Sequence, residues 1–251
     1  MACCEEPLHE GLHQHIYIMY DLIYKLENTN AYFVVDDDLI KGYVLVWRGP
    51  HRYGVHLWGD FNPLLVHVLV SEAAVIEVYG GACLSDVINY LRSKEVKNMY
   101  TINYIDMAAT ASDFKEYPHE GVTKLHSNCR NHVQQFMRLK NVQGRSISSA
   151  RAVELLSLWR YYVLFTGNEL VSIACAYLKM PEVWVIGDVF THPNHRGRGY
   201  AKAVTSAITK DAVASGARAL LHVREDNNPA IKVYEALGYK EISRKPWIFI
   251  N

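Results

Sequence analysis

One turn constrains this chain more than any other stretch. The run Val183 to Phe190 is apolar and predicts a strand, which passes through Thr191-His192-Pro193-Asn194-His195 into Arg196-Gly197-Arg198-Gly199-Tyr200-Ala201. A long amphipathic pattern comes directly after it. A glycine-rich turn that opens a helix leaves several backbone N–H groups without partners and aims them at one point. With the positive end of the helix dipole and the charges of Arg196 and Arg198, that point suits a diphosphate, although one of the two arginines could equally be a solvated surface residue.

The residues beyond the turn narrow the possibilities. Ala201, Val204, Ile208 and Ala212 recur at helical spacing, and Gly216 stands where a left-handed helix cap belongs. Ala219 to Val223 predicts another strand. Asn228-Pro229 then reads as an N-cap with proline at the first helical position, opening a short helix that carries Tyr234 and stops at Gly238.

This order of strand, R-x-x-G-x-A loop (Arg196, Gly199, Ala201), helix, strand and N-P-A-I-x-x-Y helix (Asn228, Tyr234) resembles the GNAT superfamily of acyl-CoA N-acyltransferases. The phrase VFTHPNHRGRGYA is similar to the branch of acetyltransferases whose C-terminal half resembles the glycine N-acyltransferases. The resemblance covers roughly the last half of the chain. It implies an α/β GNAT fold, a mixed central sheet flanked by helices, and acetyl-CoA or coenzyme A as co-substrate. The cofactor contacts it implies are the backbone of Val189, Phe190 and Thr191 for the pantetheine arm. The loop Arg196, Gly197, Arg198, Gly199, Tyr200 and Ala201 would take the diphosphate, and Asn228 would add a further contact. It also places Tyr234 beside the sulfur as general acid; without the family, a core tyrosine packed beside Val233 and Leu237 is the simpler reading.

The base is not assigned. Many relatives carry a glutamate on the strand before the loop, and the matching position falls near Val185, which takes no proton. Glu182, Asp188, His192 and His222 are the nearby titratable groups, each with an ordinary structural explanation.

Bulk properties exclude other classes. Lys+Arg and Asp+Glu balance at 26 each, so no global field favours nucleic acid or an anionic membrane. No apolar run approaches the ~20 residues that a spanning helix needs. The start MACCEEPLHEGLHQH lacks a basic segment followed by an apolar core, so no secretory signal is expected. Cys3, Cys4, Cys83, Cys129 and Cys175 are not in metal spacing and read as free thiols in a reducing cytoplasm. His9, His13 and His15 read as a polar segment, and no metal ligand is assigned.

Along the chain, Leu12 to Leu26 predicts a helix with Ile16, Met19, Leu22, Ile23 and Leu26 as its apolar stripe. Three β-rich runs come next, AYFVVDDD, IKGYVLVWRG and YGVHLWGD. RYYVLFTGNE, LVSIACAYLK and EVWVIGDVF repeat their order, with Trp58-Gly59-Asp60 echoing Ile186-Gly187-Asp188. The echo predicts two tandem GNAT-like units. Residues 1–120 would be a degenerate copy, because FNPLLVHVLV follows Asp60 in place of a glycine-arginine loop; residues 121–251 would bind acetyl-CoA. VHVLV and AAVIEVYG read as strands and Cys83 to Leu91 as a helix. Thr110 to Asn131 is polar and reads as the linker, HVQQFMRLK as a strand, Ser148 to Leu158 as a helix, and Trp247 to Ile250 as a last strand.

Taken together these patterns predict a cytoplasmic N-acetyltransferase, monomer or homodimer, that moves an acetyl group directly to a primary amine of a small molecule or peptide. Two alternatives stay open: an acetyl-CoA sensor without turnover, and an acyltransferase of the glycine N-acyltransferase type using a longer or aromatic acyl chain.

Overall fold

The structure is a computed structural model that describes residues 11, 14–49, 52–61, 73–79, 82 and 84–251. The expectations for His9, His13, Cys3, Cys4, Cys83, VHVLV and the helix start at Leu12 lie outside the described residues. The chain divides into two compact units, residues 1–105 with 244–251, and residues 106–243.

In the first unit, α1 (Ile16–Tyr24) precedes a three-stranded antiparallel meander, β1 (Thr29–Asp36), β2 (Leu39–Arg48) and β3 (Tyr53–Gly59). The β1–β2 turn places Asp37 and Asp38 at φ 47° and 62°, the doubly left-handed pair that matches the twist of a two-residue hairpin. β4 (Ala74–Tyr79) pairs in parallel with β3, and α2 (Leu84–Ser93) lies against that sheet. Alternation along β2 sorts the core. Val44 and Val46 join Val55, Leu57 and the α2 residues Val87 and Leu91, whereas Tyr43 and Leu45 meet Ile18 of α1. The predicted stripe of α1 needs correcting: Ile16, Ile18 and Asp21 are buried, while Ile23 and Leu26 are 59% and 63% exposed. Leu26 has already left the helix for a single 3-10 turn.

β5 (Met99–Ala109) leads from the first unit into the second. The segment read as a linker is packed there: β6 (Val122–Lys124) pairs with β7 (Arg160–Thr166). HVQQFMRLK is not a strand but the body of α3 (Arg130–Val142). Val133, Phe136 and Leu139 recur every three residues and are all buried, a helical face that β-rich composition concealed. α4 (Ser149–Leu158) opens as expected, with the Ser148 hydroxyl accepting the Arg151 amide at 3.2 Å. β7, β8 (Glu169–Lys179) and β9 (Val183–Thr191) form the second antiparallel meander. After them come α5 (Tyr200–Ala214), β10 (Arg218–Arg224), α6 (Asn228–Ala236) and β11 (Lys240–Ile250). α3 and α4 cover one face of this sheet through Phe136, Leu155, Tyr161 and Cys175. Among the described residues Cys129 and Cys175 are free thiols, and no helix is long and apolar enough to cross a membrane.

Candidate active site

β9 and β10 run parallel, but only Val183–Ile186 pair with Arg218–Leu221. Beyond Ile186 the two strands part, and the cause is local. Gly187 still faces Cys175 on β8, but Ile173 faces Phe190, so Asp188 and Val189 together stand opposite one residue. This is a β-bulge, and Asp188 sits in it at φ 51°. The buried network behind it holds the strained residue. Lys140 of α3 forms an ion pair with the Asp188 carboxylate, Tyr161 donates its hydroxyl to it at 2.9 Å, and Gln143 donates to its other oxygen at 3.1 Å. On the β8 side the Ser172 hydroxyl donates to the Phe190 carbonyl at 3.3 Å. The opposite edge of Val189, Phe190 and Thr191 therefore borders the gap where β10 has turned away.

The loop after β9 closes one end of that gap. Gly197 and Gly199 take φ 75° and 78°, backbone that favours glycine. Gly199 is the N-cap of α5 and offers no side chain to its amides. The first α5-ward bond into the loop is Ala203 N–H to the Gly199 carbonyl, at 2.9 Å. Among the described residues, the amides of residues 197–202 have no partner. Arg196 anchors the loop by donating Nε to the Thr191 carbonyl at 3.3 Å, while Arg198 is exposed. The far end of α5 closes as a Schellman turn: Gly216 N–H meets the Val213 carbonyl and Ala217 N–H the Ala212 carbonyl, both at 3.1 Å.

The same C-terminal device fixes Tyr234. Gly238, at φ 90°, lets the Tyr239 amide reach back to the Tyr234 carbonyl at 3.0 Å, and the two rings lie 6.0 Å apart. Tyr239 shares a 2.6 Å hydrogen bond with Thr209, which ties both tyrosines to α5. A side chain at position 238 would meet the Asp113 carbonyl at 1.9 Å, so glycine is required there twice over. Tyr234 is buried, its phenol has no hydrogen-bond partner among the described residues, and burial raises its pKa well above the usual value. Asn228 is exposed and is the first residue of α6 rather than its cap. The cap is Asn227, whose side chain accepts the Ala230 amide at 3.4 Å, so Pro229 is one position further in than expected.

The structure thus brings Val189, Phe190, Thr191 and residues 196–201 onto one edge and one loop. Of the possible bases, Glu182 is exposed, and Asp188 is consumed in holding the bulge. His192 accepts the Asn194 amide on Nδ1 at 3.2 Å. That bond leaves its proton on Nε2, facing Glu169, and His195 joins the same cluster with Nε2 3.4 Å from the carboxylate. These three donors lie within 4.8 Å of one another, a grouping that no sequence spacing suggested. A cavity of about 610 Å³ beside α5 is lined by Tyr117, His119, Ala203, Ser206 and Lys210, and includes neither the loop amides nor Tyr234.

Residues 163–248 match the family model described as FR47-like protein. A solved GCN5-related N-acetyltransferase-like protein from Streptococcus suis superposes with a TM-score of 0.60 over 96% of this chain and 99% of its own, at 16% identity. This is the GNAT fold. A tandem GNAT protein from the clavulanic acid biosynthesis pathway superposes with a TM-score of 0.54, covering 97% and 96% of the two chains at 14% identity. In sequence, an acetyltransferase of Yersinia pestis is 46% identical over 50 residues, which are 20% of this chain; the match spans 36% of that relative's length.

Sequence reasoning missed Tyr117. Its amide donates to Ser206 of α5 at 2.8 Å, its ring carries the Lys202 ammonium at 4.0 Å, and its hydroxyl lies 2.9 Å from where a Gly199 side chain would begin. The polar composition of residues 110–131 hid it, because nothing local marks a loop that packs on a distant GNAT helix.

Proposed function

We propose that this protein transfers an acetyl group from acetyl-CoA to a primary amine of a small molecule or peptide. The observation that carries the reading is the run of unpartnered amides at residues 197–202, set at the N-terminus of a fifteen-residue helix and beside the open edge of β9. Six amides and a helix dipole suit a diphosphate, and an open strand edge suits an extended amide-bearing arm. Acetyl-CoA supplies both groups together with an activated acyl carbon. The Yersinia relative is named an acetyltransferase, which agrees with this.

The chain's own residues divide the work. Residues 197–201 hold the diphosphate, with Arg196 adding charge. The edge of Val189, Phe190 and Thr191 aligns the arm, and a backbone N–H there polarises the thioester oxygen. Tyr234 keeps its proton because burial disfavours the phenolate. It gives that proton to the departing sulfur as the C–S bond breaks and the amine nitrogen bonds to the acyl carbon. We extend the reading to a tandem pair in which residues 1–120 form a GNAT-like half without a cofactor loop and residues 121–251 the half that binds. The matching meanders β1–β3 and β7–β9 support it.

The buried Val185, where the resemblance expects a carboxylate, favours the second reading of a sensor that binds without turnover. Release of free thiol from acetyl-CoA, measured with amino acids, polyamines and peptides, tests the two. Turnover with any amine supports transfer, and binding without release across the panel supports the sensor.

A further inference from the structure

Among the described residues, two strands have a single neighbour: β1 pairs with β2 alone, and β6 with β7 alone. Such a strand presents a row of free backbone N–H and C=O groups, and proteins that stay apart shorten it, charge it or bend it. β6 follows that practice. It has three residues, and Lys124 at its end pairs with Asp211 at 2.9 Å. β1 does not. It runs for eight residues, Thr29–Asp36, without lysine, arginine or proline, and its one charge is the terminal Asp36. The irregularity of the β1–β2 ladder lies on the other strand. Val34 faces Gly42 and Val35 faces Ile40, so Lys41 of β2 is the extra residue and β1 stays regular.

The side chains repeat this contrast. Phe33 and Val35 are 43% and 58% exposed. Alternation puts both on the face of Ala31, which packs against the cluster of Ile18, Tyr43 and Leu45 under α1. Six of the ten large apolar side chains that are exposed among the described residues lie between residues 23 and 39: Ile23, Tyr24, Leu26, Phe33, Val35 and Leu39. Apolar residues scattered singly over a surface are ordinary, whereas a concentration of them along an open strand marks an interaction surface.

The order of residues along β1 selects the occupant, because the strand is complementary to itself. Antiparallel pairing with β1 of a second copy, about a two-fold axis through Val34, sets Phe33 of each copy opposite Val35 of the other. Directly opposite residues share a face, so each exposed side chain gains an aromatic or β-branched partner. Asp36 then falls opposite Tyr32, and the turn residues Asp37 and Asp38 stand level with Ala31 and Asn30, so no like charges meet. We propose that the protein is a two-fold homodimer joined edge to edge through β1, with the first-unit sheet of one copy continuing into that of the other. The inference is independent of the acetyl-transfer reading, since none of its residues belongs to the loop or the β9 edge.

Sedimentation equilibrium of the purified full chain tests this. The wild type is expected at twice the chain mass. Phe33→Lys combined with Val35→Lys sets ammonium groups opposite one another across the axis and is expected to weaken association by at least about a hundredfold, leaving a monomer. Both positions are exposed in the single copy, so the variant keeps its fold, which circular dichroism checks. Val34→Cys, on the axis, is expected to form on mild oxidation an intermolecular disulfide that mass spectrometry maps to position 34 of both chains. A monomeric wild type overturns the proposal. So does a dimer that the double variant leaves intact, or one in which Val34→Cys yields no disulfide between the two position-34 thiols. If the wild type is monomeric and a chain lacking residues 1–10 dimerises, the chain's own start is the occupant of the edge, and the proposal falls.

Discussion

The two meanders start alike and end differently. In the first, β3 pairs with β4 in parallel from Tyr53 with Ala74 to Trp58 with Tyr79, every residue of β4 engaged. In the second, β9 keeps β10 only to Ile186. Both carry a left-handed residue near the end of the third strand, but at different places. Gly59 takes φ 61° beyond the last β3–β4 pair, and Asp60 N–H then bonds the Lys41 carbonyl at 3.0 Å, which seals the end of the strand. Asp188 takes φ 51° before the end of β9 and throws the strand aside. Three antiparallel strands plus one parallel strand are therefore a scaffold. The gap comes from a bulge placed within the third strand and from the buried lysine that keeps a carboxylate there.

Each unit has a buried lysine–carboxylate pair, and the largest expected effects come from breaking them. Asp188→Ala strands the Lys140 ammonium and should cost about 3–5 kcal/mol of stability, read from denaturant melts; the affinity for acetyl-CoA should fall with it because the bulge is lost. Glu77→Ala removes the carboxylate 3.0 Å from the buried Lys245 ammonium in the first unit and should also destabilise the fold in denaturant melts, while the acetyl-CoA Kd of the folded protein is unchanged. Equal effects of the two on affinity would erase the distinction between the units. Next comes Tyr234→Phe, expected to lower kcat by about 10²–10⁴-fold with Kd unaltered. Because burial raises the phenol's pKa, the wild-type rate should show no loss attributable to Tyr234 as pH rises toward about 10, where an ordinary tyrosine titrates.

Gly199→Ala should have a smaller effect. The left-handed backbone costs an alanine about 1–2 kcal/mol, and its methyl group would press on Tyr117, so acetyl-CoA binding should weaken by about tenfold in calorimetry. The smallest effect belongs to the first unit. Burial pushes Asp21 up to about 6 against the opposing pull of His56 and Lys25. A carboxyl whose folded pKa lies above its unfolded value favours folding when protonated, and that contribution disappears as pH rises from about 4 through 6. Asp21→Asn should therefore raise Tm by a few degrees at pH 7.5 and by much less at pH 4.

The site was more legible than its supports. Gly197, Gly199 and Gly216 announce turn, cap and stop, because each satisfies a backbone need that few other residues meet. Of the predicted stripe of α5, Val204, Ile208 and Ala212 are buried, whereas Ala201 is half-buried and Ala203 takes the buried place in the first turn. α3 was misread because His132, Val133, Phe136 and Met137 suit a strand by composition, and only the three-residue spacing of Val133, Phe136 and Leu139 reveals the helix. The pairing of Lys140 with Asp188 and the hydrogen bonds of Asp106 with His222 and Ser243 join residues far apart in the chain, and no local pattern encodes such contacts. Tyr117 escaped for the same reason. The cap of α6 was displaced by a single residue because Asn227 and Asn228 are chemically equivalent and only backbone geometry chooses between them.

Titration of coenzyme A into the purified wild-type protein, and into Arg196→Glu and Gly199→Glu, is the most direct measurement of whether residues 197–202 grip its diphosphate. Saturable heat with the wild type and at least a hundredfold weaker binding in both variants is the predicted result. No heat with the wild type, or equal affinity in all three proteins, would contradict it.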